Sequence, residues 1–407
     1  MMKIYPEVLA FLGIFCLSLS GSMTTAFVST AFPSVRRSIR SNTLLGDVSS
    51  SFLPSIQSLI AAASGAGDNA AAAQPVADLP MQRLRLPKAS LGREFVIVQL
   101  KVKGQGPFDF MVDSVLTTEM ITPHLQQTLN IGRKKGAPVM RGLSAGGGGF
   151  EALVELEGAS LCCGKFPESN ADTLNLPLLH AVVTDFPQEH LDPAHDVEGM
   201  LGMEVLDRFD ADFDFPAGRL RLWQPGTFAA QAAKAGLVRI PAAVLNETRL
   251  IGIRITSPGG STQPLVGVID CGAAFSVVNW AGAELLGLPS KKNVEAYRNA
   301  PSVFGIGIEG KPQQMPTRDV QFSFCGDPFQ DENGNVSFGL PSKIWKPWDP
   351  VKVGIGDMPV FSELIGDGIT PYLGPAAIIG LDVLSQRRVV LEHGEGRARS
   401  LYVDPHK

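Results

Sequence analysis

One pattern occurs twice in this sequence, and it constrains the fold more than any other feature. In each copy two apolar stretches, separated by a turn that contains glycine, lead directly into an aspartate, which is Asp113 in the first copy and Asp270 in the second. Apolar stretches bounded by glycine and proline turns predict β-hairpins. Because the two aspartates hold the same place 157 residues apart, the sequence predicts an internal duplication.

Both copies also close in the same way. Two apolar residues and a glycine, Gly202 in the first copy and Gly380 in the second, precede a short helix-like segment and a pair of strands. The two glycines lie 178 residues apart. We therefore expect two β-rich halves, residues 81–223 and 237–407, joined by a connector over residues 224–236.

Composition excludes some classes of function. The 407 residues include 35 Lys and Arg against 40 Asp and Glu, a net charge of −5. No basic stripe that could neutralise phosphates is present, so we expect no binding to nucleic acid. The 43 glycines and 30 prolines favour a turn-rich globular protein. No cysteine pair has a zinc-binding spacing, and we expect neither a metal nor another cofactor.

The first eighty residues are typical of targeting sequences. Residues 1–26 have the apolar run and small residues of a signal peptide, and residues 27–46 carry arginine, serine and threonine without acidic residues, as transit peptides do. Together they predict import into a plastid, with secretion or an endomembrane lumen as the alternative. Residues 47–80 predict a disordered linker or pro-region, and the processed chain is expected to be free of membranes.

The residues after each aspartate, and those around the second closing glycine, resemble the motifs of aspartic proteases. This family carries Asp-Thr/Ser-Gly in each half and an apolar-apolar-Gly sequence in its ψ-loop. Each half is similar in size to a retropepsin, and the tandem arrangement resembles that of pepsins. The matching motifs are Asp113-Ser114-Val115, Asp270-Cys271-Gly272, and the ψ-loop sequences that end at Gly202 and Gly380.

The resemblance implies an all-β, bilobal acid-protease-like fold, with two pseudo-symmetric β-barrel lobes and short helices. It also implies an aspartic-type endopeptidase that acts on extended polypeptides, and two lobes in one chain allow a monomer. Asp113 and Asp270 would activate a water molecule between them, with Ser114, Cys271 and Gly272 supporting the motif loops. Two adjacent carboxyl groups share one proton because they cannot both ionise.

The third residue after each aspartate lacks a hydroxyl group that could stabilise the ionised pair. Because the pKa of a carboxylate with fewer donors is lowered less, we expect a pH optimum of about 5 to 6.

A glycine-rich hairpin that covers the substrate is a further feature of the family. The first copy offers Gly142, Ser144 and Gly146 for such a flap, and the second offers Gly305 and Gly307. Neither segment contains the tyrosine of the pepsin flap.

Two departures from the motifs favour an alternative. Val115 stands where the family has glycine and is expected to strain or re-route its loop, while the thiol of Cys271 bonds more weakly than a hydroxyl group. The alternative is a catalytically inactive peptide-binding module. A second alternative is a serine hydrolase with Ser144 as nucleophile, since residues 142–146 match its G-x-S-x-G motif, with Asp185 and His195 as partners.

Two further expectations concern single features. Oxidation of Cys271 could block the cleft, although a buried, unreactive thiol is the commoner case. The alternation of Asp210, Asp212 and Asp214 with apolar residues predicts a solvated strand face.

Overall fold

The computed structural model describes residues 74–84, 94–133, 139–144, 147–164, 172–184, 196–245, 249–258, 263–306, 312–332, 334–367, 370–393 and 398–406. The predicted signal and transit segments, Asp185 and His195 lie outside these residues.

The described part of the chain up to residue 223 contains fourteen strands, and the strands are short because glycine and proline turns follow one another closely. They are β1 (Ala77–Pro80), β2 (Gln82–Leu84), β3 (Phe95–Val102), β4 (Gln105–Val112), β5 (Glu119–Ile121), β6 (Val139–Ser144), β7 (Gly147–Ala152), β8 (Val154–Leu156), β9 (Ala159–Cys162), β10 (Thr173–Asn175), β11 (Leu179–Val183), β12 (Val197–Leu201), β13 (Asp210–Asp214) and β14 (Arg219–Trp223).

The second half follows the same plan. Its described strands are β15 (Val238–Leu245), β16 (Leu250–Thr256), β17 (Leu265–Ile269), β18 (Val277–Val278), β19 (Ser302–Ile306), β20 (Pro312–Val320), β21 (Ser323–Phe324), β22 (Pro328–Gln330), β23 (Val336–Phe338), β24 (Val351–Ile355), β25 (Ala376–Ile379), β26 (Arg388–Leu391) and β27 (Ala398–Val403).

Short helices join the strands. They are α1 (Pro123–Thr128), α2 (Met203–Leu206), α3 (Ala229–Ala232), α4 (Trp280–Leu285), α5 (Val294–Tyr297), α6 (Val360–Ile365) and α7 (Leu381–Leu384). The side chains of Thr122 and Asn279 cap α1 and α4 by accepting a backbone N–H of the first turn. Within the described residues no helix is long and apolar enough to cross a membrane.

The two halves repeat one strand order. In the first half β4 lies parallel to β12, β12 antiparallel to β5, and β5 parallel to β11. In the second half β17, β25, β18 and β24 follow with the same directions. The predicted duplication is therefore visible in the hydrogen bonding of the sheets, and the predicted all-β, bilobal, acid-protease-like fold is confirmed.

A shared sheet connects the halves. Strand β13 of the first half pairs antiparallel with β26 of the second, so that β1, β14, β13, β26, β27 and β15 run in succession. At the connector Phe228 packs between Trp223 and Tyr402, with ring centroids 5.3 Å and 5.8 Å away. Burial of these aromatic rings holds the connector against both halves.

The expectation that Asp210, Asp212 and Asp214 form a solvated strand face is wrong. Asp210 and Asp212 are fully buried, and arginine side chains of the neighbouring strands and backbone N–H groups of the connector bond to them. Asp212 accepts hydrogen bonds from Arg388 Nε at 2.8 Å and Nη2 at 2.6 Å, and Asp210 accepts the backbone N–H groups of Gly226 and Phe228. These carboxylates join the two halves.

The ordered chain also begins earlier than residue 81. Strand β1 pairs with β14, and its Ala77 and Leu79 are buried. Asp78 is buried as well and forms ion pairs with Arg219 and Arg221. The end of the segment predicted as linker is thus part of the shared sheet.

Candidate active site

Each of the two motif aspartates follows a strand that ends beside a parallel neighbour. Strand β4 ends next to Leu201 of β12, and the N–H of Asp113 donates to Leu201 O at 2.9 Å. Strand β17 ends next to Ile379 of β25, and the N–H of Asp270 donates to Ile379 O at 3.0 Å. The strand pairing therefore fixes both aspartates in equivalent positions.

The closing glycines allow the motif loops to lie directly on α2 and α7. A Cβ atom on Gly202 would lie 2.3 Å from Leu116 O, and one on Gly380 would lie 2.8 Å from Ala273 O. The first N–H of each helix donates to the same carbonyl groups, Met203 to Leu116 at 2.7 Å and Leu381 to Ala273 at 2.8 Å. A side chain at either glycine would push the loop away.

The two motif loops are bonded to each other. Ser114 Oγ accepts the N–H of Cys271 at 3.0 Å and donates to Ile269 O at 2.9 Å. In return the Cys271 thiol donates to Val112 O at 3.7 Å. The Ser114 hydroxyl and the Cys271 thiol thus bond the two motif loops to each other, and the loops of the two halves form one buried unit.

Both carboxyl groups are held in the same way. Asp113 Oδ1 accepts the N–H groups of Val115 at 2.8 Å and Leu116 at 3.1 Å, and Asp270 Oδ1 accepts that of Gly272 at 2.8 Å. Both side chains are fully buried, and neither Oδ2 atom has a hydrogen-bond partner among the described residues. Each half therefore holds one carboxyl oxygen by backbone N–H groups and leaves the other without a partner among the described residues.

Gly272 brings the loop of the second half against the aspartate of the first. A Cβ atom at Gly272 would lie 2.3 Å from Asp113 Cγ and 2.4 Å from its Oδ2. Only glycine leaves room for the carboxyl group there. In the first half Val115 holds the equivalent position and is fully buried, so the two sides of the pair differ.

Val115 does not re-route its loop, contrary to the sequence-based expectation. Its N–H donates to Asp113 as the N–H of Gly272 does to Asp270. The described residues other than glycine with positive φ are Lys103, Asn130 and Arg249, so the backbone of Val115 is free of that strain.

The protonation of the pair is shifted toward the acid form. Burial raises the pKa of Asp113 to about 7, against the opposing effect of the Val115 and Leu116 N–H groups. Burial, and then the charge of Asp113, raise the pKa of Asp270 well above its usual range. A pair that shares one proton is therefore expected near pH 7 and above, so the expected pH optimum moves up from the 5 to 6 that the sequence suggests.

Cys271 lies beside this pair as an inert thiol. It is buried, and burial raises its pKa, since the thiolate would lose its hydration next to two acidic groups. Because the thiolate is the reactive form, the burial and raised pKa of Cys271 argue against the expectation that its oxidation blocks the cleft.

Two antiparallel hairpins correspond to the expected flaps. Gly142 and Ser144 lie in β6, which pairs with β7, and Gly305 lies in β19, which pairs with β20. Gly146 and Gly307 lie outside the described residues. Ser144 faces Gly147 across the first hairpin and leads into a strand, whereas a serine-hydrolase nucleophile must open a helix. The serine-hydrolase alternative is therefore wrong for this hairpin.

The polar residues behind the motif loops are not among the site residues that the sequence predicts. Ser276 bonds to Asp382 in the second half, and Glu119 bonds to the glycine turn in the first. The available signal was their spacing, since Glu119 and Ser276 are each the sixth residue after the motif aspartate. No group of three His, Cys, Asp or Glu side chains in the described part of the chain is arranged to hold a metal ion.

The repeated strand order, the shared sheet and the interlocked aspartate loops together define a protein of the bilobal, pepsin-like fold. Among solved structures, the chain is similar to the basic 7S globulin from soybean, a crystal structure that matches at 10% identity with a TM-score of 0.39. The match covers 80% of this chain and 94% of that one. No protein-family model matches the sequence, and no curated protein matches it.

Proposed function

We propose that the protein is an aspartic-type endopeptidase, with Asp113 and Asp270 as its catalytic residues. The observation that carries the proposal is the pair of buried carboxyl groups, one from each half, whose loops are bonded to each other and whose Oδ2 atoms are both without partners among the described residues.

The chemistry follows from a pair that holds one proton. The ionised carboxyl group takes a proton from a water molecule as the water oxygen attacks the scissile carbonyl carbon, and the protonated partner donates to the carbonyl oxygen. The C–N bond then breaks as the leaving nitrogen accepts a proton from one carboxyl group, and a hydroxyl group of the intermediate gives its proton to the other as the new carbonyl forms, which restores the pair. The fixed Oδ1 atoms keep the two groups oriented, which lowers the entropy lost in reaching the transition state.

An extended polypeptide is the substrate that the hairpins favour. The pairs β6–β7 and β19–β20 follow the aspartates of their respective halves, and a hairpin edge can bind an extended chain through main-chain hydrogen bonds. The presence of one such hairpin in each half resembles the arrangement in retropepsins. We include this closer likeness to retropepsins in the proposal.

A non-catalytic peptide-binding module is the second candidate, and Val115 is the observation that favours it. Its side chain stands where the other half has Gly272 directly under a carboxyl group. If the side chain prevents Asp270 from meeting a water molecule, the cleft would bind peptides without cleaving them.

Hydrolysis of a peptide library by the full chain tests the proposal. The wild type is expected to cleave, with a rate that rises toward pH 7 as Asp113 loses its proton, and to be blocked by an active-site-directed inhibitor of aspartic proteases. Asp113→Asn is expected to lower kcat at least about a thousandfold, since it removes the base.

The matched control is Asp327→Asn, which changes an exposed aspartate that pairs with Arg239. It is expected to cleave like the wild type. Equal cleavage by wild type and Asp113→Asn would refute the proposal, and peptide binding without cleavage by either would establish the binding module.

A further inference from the structure

Behind the aspartate loop of the second half, two side chains tie the chain to the glycine turn. Ser276 Oγ accepts the N–H of Gly380 at 3.0 Å and donates to Asp382 Oδ1 at 2.6 Å. Asp382 also accepts the N–H groups of Ser276 at 3.0 Å and of Val383 at 2.9 Å. A hydroxyl and a carboxylate thus share the work of holding this turn.

In the first half a single carboxyl group holds the equivalent glycine turn. Glu119 holds the position of Ser276, and its Oε1 accepts the N–H groups of both Gly202, at 3.2 Å, and Val205, at 3.1 Å. These two donors are the equivalents of Gly380 and Val383. Glu204, in the position of Asp382, instead accepts from the N–H of His180 at 3.0 Å and contacts its Nδ1 at 3.1 Å.

We propose that Glu119 is the positioning residue of the Asp113 loop and performs this role as a neutral carboxylic acid. The catalytic consequence rests on the function proposed above, while the protonation state of Glu119 does not depend on it.

A continuous path of hydrogen bonds leads from Glu119 to the aspartate. Glu119 fixes the turn at Gly202, and the adjacent N–H of Met203 donates to Leu116 O at 2.7 Å. The N–H of Leu116 in turn donates to Asp113 Oδ1 at 3.1 Å. A turn that loses the Glu119 bonds would therefore let the Asp113 carboxyl group move.

The surroundings of Glu119 favour its neutral form. The side chain is fully buried, and its Oε2 has no hydrogen-bond partner among the described residues. The charged or titratable groups on the neighbouring elements are Glu204 on α2, His180 on β11 and Glu198 on β12. Burial, followed by the charge of Glu204, raises the pKa of Glu119 well above its usual range.

A raised pKa gives the stability a definite pH dependence. The unfolded chain loses the Glu119 proton near the ordinary pKa of about 4.3, whereas the folded chain keeps it to a higher pH. Between those values the unfolded state binds fewer protons, so stability falls as the pH rises. The raised pKa values of Asp113 and Asp270 also make the stability fall as the pH rises. A substitution of Glu119 therefore removes only the contribution of Glu119 to that fall.

The test compares wild type, Glu119→Gln and Glu119→Ala, with Ser276→Ala as the matched change in the second half. Gln keeps the acceptor oxygen and cannot ionise. We expect the urea midpoint of Glu119→Gln to fall less than that of wild type between pH 5 and pH 8, and its kcat to stay within about threefold of wild type. Glu119→Ala and Ser276→Ala are expected to lower kcat at least about tenfold with KM nearly unchanged.

An equal fall of the urea midpoint in wild type and Glu119→Gln would overturn the neutral form, and wild-type kcat in Glu119→Ala would overturn the positioning role. If Glu119→Ala does not fold, a kcat for Glu119→Gln more than about a hundredfold below wild type would overturn the proposal that an acceptor oxygen at residue 119 is what positions the loop. Absence of hydrolysis in the wild type would refute the proposed function, and the urea midpoints would still decide the protonation of Glu119.

Discussion

Gly272 and Val115 hold equivalent positions in the two halves and have opposite effects on the space around the carboxyl groups. Gly272 admits the Asp113 carboxyl group against its own Cα atom. Val115 holds the equivalent position in the first half, and its branched side chain is fully buried. This asymmetry is the main reason why the two aspartates are not interchangeable.

The asymmetry predicts opposite outcomes for two substitutions. Gly272→Ala places a methyl group where the Asp113 carboxyl group lies, and it should lower kcat/KM about a hundredfold, the cost of a misplacement of about 1 Å. Val115→Gly removes the branched side chain from the position equivalent to Gly272 and should raise kcat/KM, while the loss of a buried side chain and the greater freedom of the unfolded chain together lower stability by about 3 kcal/mol.

Steady-state kinetics measure kcat/KM of both variants, and urea denaturation measures their stability. Unchanged kcat/KM in Gly272→Ala would show that the Asp113 carboxyl group does not need this space.

At the residue scale, the sequence reveals some site residues and conceals others. Asp113 and Asp270 are recognisable because each ends an apolar hairpin, which is a local pattern. Asp212 is misread, because its burial depends on pairing with β26, whose partner Val390 is 178 residues away. Alternation along one strand cannot show what covers its polar face.

At the scale of elements, strand β1 extends the folded part into the segment predicted as a linker. Its Asp78 is buried against two arginines of β14, Arg219 and Arg221. Residues 47–80 are rich in alanine, serine and glycine, which conceals a strand of four residues at their end. Proteolytic removal of residues up to 80 would take away this strand and its carboxylate.

Asp78→Asn is therefore expected to lower the free energy of unfolding by about 3 kcal/mol, since it removes the buried carboxylate charge that pairs with Arg219 and Arg221. Asp327→Asn is the control, because it breaks an exposed ion pair and should cost less than about 1 kcal/mol. Urea denaturation measures both. Equal stability of the two variants would mean that β1 contributes little to the shared sheet.

Other elements follow directly from the sequence. The hairpins before both aspartates, the helices after Gly202 and Gly380, and the paired strands that end each half are all present in the predicted order. These are local patterns of apolar residues and turns. The pairing of β13 with β26 joins segments distant in sequence, and no local pattern encodes it.

At the scale of the whole molecule, two of the structures that join the halves bear on the proposed chemistry. One is the shared sheet, with the Asp212–Arg388 ion pair across it. The other is the pair of motif loops, bonded through Ser114 and Cys271. The first holds the halves in place, and the second fixes the two carboxyl groups relative to each other. The proposed chemistry needs both, because neither half alone provides an acid and a base.

The most direct test of this account is the pKa of Asp270, measured by carbon-13 NMR of its carboxyl group in wild type and in Asp113→Asn. Because the charge of Asp113 helps to raise the pKa of Asp270, the account predicts a raised pKa in the wild type and a lower one in the variant. An Asp270 pKa that is the same in both proteins would show that the two carboxyl groups do not act as a pair.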